Sequence, residues 1–210
     1  MGQAGRWSCP QAGTCATGTE AGTVKTYLGI PSGTTSEDDA IDAAIDAAEA
    51  EIDNYTGRNF AVPGSASAKV YRPINDRVVL VDDIAQTTSL AVKTDTADDG
   101  TYDTTLTVTS EYVIEGNEAP YRIIRRVDGS CFPRPISDRA SVEVTAYWGY
   151  GMSIPAAIVQ ASTVLGARLY QRRSSPLGFQ AGLEGDAVRI SRIDPDVRAL
   201  LSGYRLPAVA

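Results

Sequence analysis

Asp42, Asp46, Glu49 and Asp53 recur at steps of four, three and four, the spacing that sets four carboxylates along one side of a helix. Like charges so placed destabilise an isolated helix by about 0.2–0.5 kcal/mol per pair, so water or an opposing basic surface must offset them. Arg168, Arg172 and Arg173 form a basic row in a later segment. They either pair within the fold or reach the acidic row of another copy of the chain. Arg122, Arg125 and Arg126 stand beside Tyr121 at strand-like spacing in acidic surroundings, which points to cross-strand charge pairing rather than a platform for stacked bases.

Catalytic chemistry finds little support. The sequence has no histidine, the usual general base of serine and cysteine nucleophiles. Asp82-Asp83 and Asp98-Asp99 have the groups to hydrolyse a glycoside or hold a cation, but turn solvation explains them better. Gly178, Gly182 and Gly185 are too sparse for a phosphate loop and lack its lysine. Cys9, Cys15 and Cys131 are an odd number at spacings that match no zinc or redox motif. The expectation is a chain that is not an enzyme and needs no metal or cofactor.

The acidic row belongs to a helix from Ser36 to about Thr56. Ser36 is a candidate cap, Gly57 stands at the exit, and Ile41, Ile45, Ala48, Ile52 and Tyr55 form an apolar stripe. A shorter helix precedes it: Val24, Tyr27 and Leu28 share a face before Gly29 and Pro31. The basic row ends a second long helix, opened by Ile154-Pro155 and carrying Ile158, Ala161, Leu165 and Leu169 on one side. Small residues on it, among them Ala161, Gly166 and Ala167, allow close approach by a neighbour. A last short helix has Asp194 as cap, Pro195 at its start, and Val197, Leu200 and Leu201 as apolar face.

Between the long helices the pattern turns to strands over Lys69–Arg72, Arg77–Leu80, Ser89–Lys93, Tyr112–Ile114, Tyr121–Arg125 and Ser141–Trp148. Val142, Val144, Ala146 and Trp148 alternate with polar residues, as a half-buried strand requires. The stretch from Thr94 to Thr105 reads as a polar hairpin tip. The predicted fold class is α+β: a small helical bundle of two long and two short helices with an inserted antiparallel β-subdomain. Its parts are a flexible arm (1–20), a helical core (21–65 and 151–175), the β-subdomain (66–150) and a C-terminal extension (176–210). Within the arm, Trp7 is the one residue able to anchor.

Composition bounds the partners. Hydrophobic residues at 43% and charged residues at 21% are ordinary for a globular chain. No apolar run approaches the roughly 20 residues of a membrane span, and the start has neither a secretory leader nor a myristoylation pattern, so no membrane association is expected and synthesis is placed in the cytoplasm. The net charge of −7 opposes a grip on DNA phosphates, though not a wall past which DNA slides.

Three runs together resemble a known family. They are Val24-Lys25-Thr26-Tyr27-Leu28-Gly29-Ile30, the acidic alanine-rich helix closing on Tyr55-Thr56-Gly57-Arg58-Asn59-Phe60, and Ala167 to Gly178 following Tyr147-Trp148-Gly149-Tyr150. In that order they look like head-to-tail connector (adaptor) proteins of tailed bacteriophages, and Ile190 to Leu201 resembles the ending of adaptors from phages of actinobacterial hosts. The resemblance implies a structural ring, commonly of twelve subunits, in the virion neck below the portal. Such a ring joins capsid to tail, receives a stopper or tail-completion protein, and lets double-stranded DNA through without sequence preference. It makes Asp42, Asp46, Glu49 and Asp53 candidates for the lumen or a subunit contact, and Arg168, Arg172 and Arg173 candidates for the facing contact. Asp194, Pro195, Val197, Leu200, Leu201 and Tyr204 become candidate portal contacts. A stopper or tail-completion ring protein is the alternative within structural proteins. A host- or carbohydrate-binding module using exposed aromatics such as Tyr102 and Tyr112 is the alternative of another class.

Overall fold

The computed structural model describes residues 7, 18–134, 139–173, 179–181, 187–189 and 195–206. These divide into two compact units: a helical one from Trp7, residues 18–61 and the described part of 153–206, and a β unit from the described part of 62–152.

The helical unit contains α1 (Ala21–Leu28), α2 (Asp38–Thr56), α3 (Ala156–Arg172) and α4 (Pro195–Ser202), with a small hairpin of β8 (Phe179–Ala181) and β9 (Ala187–Arg189). The long helices α2 and α3 pack on each other, and α1 and α4 close against them. The predicted stripe of α2 is where it was expected, with Ile41, Ile45, Ala48 and Ile52 buried. On α3 Ile158, Ala161 and Leu165 are buried, and Gly166 lies against Ile45, so small residues do bring the two helices close. Gly57 ends α2 with φ 69°, and its N–H donates to the Asp53 carbonyl; a side chain would strain that left-handed conformation. The start of α2 differs from expectation: Glu37, not Ser36, occupies the cap position, and no side chain caps the helix. Ion pairs of Lys25 with Asp38 and Arg173 with Glu37 place cations near those first carboxylates instead.

The β unit is an antiparallel sheet of β1 (Ser67–Tyr71), β2 (Pro73–Asn75), β3 (Val78–Thr94), β4 (Thr104–Leu106), β5 (Tyr112–Glu115), β6 (Tyr121–Arg126) and β7 (Val142–Trp148). The order is β1-β7-β3-β6-β5, with β2 and β4 also paired to β3. Arg77–Leu80 and Ser89–Lys93, read as two strands, fall within the single 17-residue β3. Its register shifts between Leu80 and Ile84 and again around Gln86, so the strand bends, pairing β6 with its first half and β7 with its second. Only Arg72 separates β1, on β7, from β2, on the start of β3, which closes a circuit of paired strands. Its core is Val79, Val81, Ile84, Val92, Leu106, Tyr112, Ile124, Phe132, Val142, Val144 and Ala146.

Candidate functional site

The four carboxylates of α2 do not form one uniform face. Asp46 is exposed and Asp42 half-buried. Burial, and then the charges of Asp38, Asp46 and Asp39, push the Asp42 carboxyl above its ordinary value. Glu49, by contrast, is fully buried, and its Oε2 accepts the main-chain N–H of Trp7 at 3.0 Å. Asp53 takes the Trp7 indole N–H at 3.4 Å on Oδ2 and the Phe60 N–H at 3.5 Å on Oδ1. Glu49 therefore cannot line a lumen or meet a neighbouring subunit. Its place on α2 carries it off the solvated side, and Trp7, fully buried, is the anchor the sequence suggested.

The basic row is also divided. Arg173, at the end of α3, pairs within the chain with Glu37, lies over the Tyr170 ring with its Cζ 4.2 Å from the centroid, and donates to the Tyr170 hydroxyl at 2.9 Å. The Tyr170 hydroxyl donates to Glu37 at 3.3 Å. These contacts hold the Glu37 carboxyl below its usual range, chiefly through the bond from Arg173. Arg173 is thus paired within the chain yet exposed, while Arg168 and Arg172 are half-buried along α3.

Of the C-terminal candidates, Asp194 lies outside the described residues. Val197 and Leu201 are buried, because the apolar face of α4 packs on α3 and α2 of its own chain. They are therefore withdrawn as portal contacts. Pro195 is exposed, and Leu200 and Tyr204 are half-buried. The Tyr204 carbonyl accepts the Arg58 Nε–H at 2.7 Å, and the Leu206 N–H donates to the Thr56 carbonyl at 2.9 Å. The meeting of Trp7, the exit of α2 and the segment Tyr204 to Leu206 was missed in the sequence. Its one visible signal was the Tyr-Thr-Gly-Arg-x-Phe run, whose Thr56, Arg58 and Phe60 all take part.

In the β unit the charges pair across strands as expected. Arg125 pairs with Glu115, Arg122 with Asp83 at 3.3 Å, and Lys69 with Asp82 at 2.7 Å. Arg126 pairs instead with nearby Asp128 in the following loop, at 2.5 Å, and Asp128 is held well below the usual carboxylate range by that bond. Asp98 and Asp99 lie in the β3–β4 connection, where buried Asp95 accepts the N–H groups of Asp98 and Gly100, each at 2.8 Å. Tyr112 is buried and the Tyr102 hydroxyl donates to the Ala140 carbonyl at 2.9 Å, so these tyrosines are not the exposed ligand platform of the binding-module alternative. Among the described residues no group of three or more acidic or cysteine side chains could hold a metal, and no helix is long and apolar enough to cross a membrane.

Residues 22–112, from α1 to the first residue of β5, match the family described as phage gp6-like head-tail connector protein. Over that span the sequence is similar to gp6-like head-tail connector proteins. The chain shares its fold with chains of solved gene-transfer-agent particles. It aligns with a chain from the neck of an empty GTA particle with C6 symmetry at 20% identity and a TM-score of 0.59, covering 90% of each chain. A chain from the neck of the native GTA particle with C12 symmetry gives 17% identity and a TM-score of 0.54, covering 94% of this chain and 96% of that one. One from the virion of a native gene transfer agent particle gives 21% and 0.55, covering 90% and 89%. No curated protein sequence matches.

Proposed function

We propose that this protein is the head-to-tail adaptor of a tailed-phage or phage-like virion, located in the neck. It joins capsid to tail as a ring below the portal and leaves a lumen for double-stranded DNA. The observation that carries the reading is the joint one: connector-family sequence over α1 to β5, in a fold shared end to end with neck chains. Twelve copies per ring agree with the C12 symmetry of one of those necks. The role is structural, without a catalytic step, cofactor or metal.

The parts have assigned tasks in this reading. The helical core (21–65 and 151–175) and the β insertion (66–150) build the ring wall, and the extension (176–210) reaches the portal, with Pro195, Leu200 and Tyr204 as contact candidates. Exposed Asp46 and half-buried Asp42 are the members of the acidic row that can face DNA or a neighbour's Arg168 and Arg172. Carboxylates on that wall would repel the duplex and keep it sliding. The opposite face receives the stopper or tail-completion protein.

Mass photometry and electron microscopy of the purified chain, alone and with its portal, test this. The expected result is a closed ring that stacks coaxially on the portal. A chain that stays monomeric at micromolar concentration in the presence of the portal overturns the reading.

A further inference from the structure

Trp7 and Tyr204, far apart in the sequence, meet on one side chain. Phe60 is met edge-on by Trp7, with ring centroids 5.7 Å apart, and by Tyr204, with centroids 6.0 Å apart. Trp7 is buried although it stands in a segment of Gly, Ala, Thr and Ser that has no apolar periodicity of its own. It is held by direction as well as by packing: its main-chain N–H reaches Glu49 and its indole N–H reaches Asp53, one helical turn further along α2. Gly18 completes the enclosure. A Cβ there would stand 3.0 Å from Trp7 Cβ and 3.1 Å from Glu49 Oε1, so any side chain at Gly18 would press on the seated tryptophan.

The other side of Phe60 holds the segment Tyr204 to Leu206. Tyr204 packs on the ring, its carbonyl accepts from Arg58, and Leu206 bonds to Thr56. Asp53 accepts both the indole and the Phe60 N–H, so one carboxylate positions both partners of the aromatic contact.

We propose that Glu49, Asp53 and Phe60 are a socket for Trp7, and that the seated tryptophan is a strap that locks the segment Tyr204 to Leu206 onto the exit of α2. With the indole in place, Phe60 is fixed between two rings and presents a rigid edge to Tyr204. Without it, Phe60 loses one packed side and the Asp53 carboxylate loses a donor. The ring can then turn, and the contacts of Tyr204 and Leu206 open more often. Coupling of this kind is reciprocal, so loosening Tyr204 must also loosen Trp7. The strap rests on contacts within this unit and stands whether or not the adaptor reading does. If that reading holds, the strap sets when that segment is free to reach a partner.

The experiment uses the full chain and two readouts. Hydrogen exchange in Trp7→Ala should speed the Leu206 amide by about tenfold while amides in the α2–α3 core, such as those of Ile45 and Leu165, keep their protection. In the reverse direction Tyr204→Ala should raise quenching of Trp7 fluorescence by acrylamide about twofold in a Trp148→Phe background, where Trp7 is the only tryptophan. Fluorine NMR of the 5-fluorotryptophan-labelled chain, assigned with Trp7→Phe, reports the same environment without altering Trp148. Uniform acceleration of every amide in the unit would mean that Trp7 is merely a core residue and would overturn the strap. An unchanged Leu206 amide, or a Trp7 signal already solvent-like in the unaltered chain, would do the same.

Discussion

Asp42 and Asp46, in the first half of α2, face water and one another's charge, whereas Glu49 and Asp53, two turns on, accept hydrogen bonds from Trp7 and Phe60. The residue types and spacing are continuous across the boundary, yet the physical roles are opposite. In one half the carboxylates stand among like charges, Asp46 exposed and Asp42 half-buried. In the other they are acceptors that orient buried donors. Helical periodicity places side chains on a side of the helix, but what covers that side is decided by distant segments, here a tryptophan 42 positions before Glu49.

The comparison is broken most directly by truncating one carboxylate from each half. Glu49→Ala leaves the Trp7 N–H without its acceptor in a buried site, and is expected to cost about 2–3 kcal/mol in urea unfolding. Asp46→Ala should stay within about 0.5 kcal/mol. Equal losses would mean that the two halves do not differ. Asp53→Ala should fall between, at about 1–2 kcal/mol, because its bonds to Trp7 and Phe60 are long and it is only half-buried. The pair Asp53→Ala and Trp7→Ala should be non-additive, since Trp7→Ala removes the indole N–H that Asp53 accepts.

The start of α2 sharpens the contrast with a third arrangement, a carboxylate paired at the surface. Glu37→Gln removes the partner of Arg173, and its effect on the urea midpoint should be smaller than that of Asp53→Ala and should fade in high salt. The Glu37 carboxyl is held below its ordinary value, so its contribution is complete above the usual glutamate range and is lost as pH falls through the depressed value. An effect that survives high salt would point to packing of Arg173 on Tyr170 rather than to charge.

How much of this was legible in the sequence follows from the range of each interaction. The stripes of α2 and α3, the glycine exit of α2 and the alternation in β7 are local patterns, and the structure has them where the residues put them. The unity of β3 was hidden by Asp82, Asp83 and the polar run Gln86 to Ser89, which look like an interruption. Asp83 is tolerated inside the strand because Arg122 of β6 pairs with it, a partner that no local reading supplies. Glu49 was assigned to a solvated row for the same reason: nothing near it in the chain announces Trp7. Tyr112 opens β5 as its sequence predicts, but its ring fills the core of the β unit instead of standing exposed, because the alternation of a short strand does not say which face is covered.

The smallest expected effect bears on the first half of α2. The Asp42 carboxyl is raised by burial first and by Asp38, Asp46 and Asp39 next, so the folded state disfavours its charge. A group raised in this way costs stability above its folded value, and the cost is relieved as pH falls, because the folded protein takes up the proton before the unfolded one does. Asp42→Asn removes the charge without removing the side chain. At neutral pH it should stabilise the protein by a few tenths of a kcal/mol, the size of like-charge repulsion between helical neighbours. The gain over the unsubstituted chain should shrink on acidification and vanish once the pH is well below the ordinary aspartate range, where Asp42 is protonated in both states. Paired urea melts across that range measure it. A gain that does not change with pH would mean that the substitution acts through helix propensity or packing. A loss at neutral pH would show that Asp42, like Glu49, is engaged by a donor, and the division of the row between its two halves would fall.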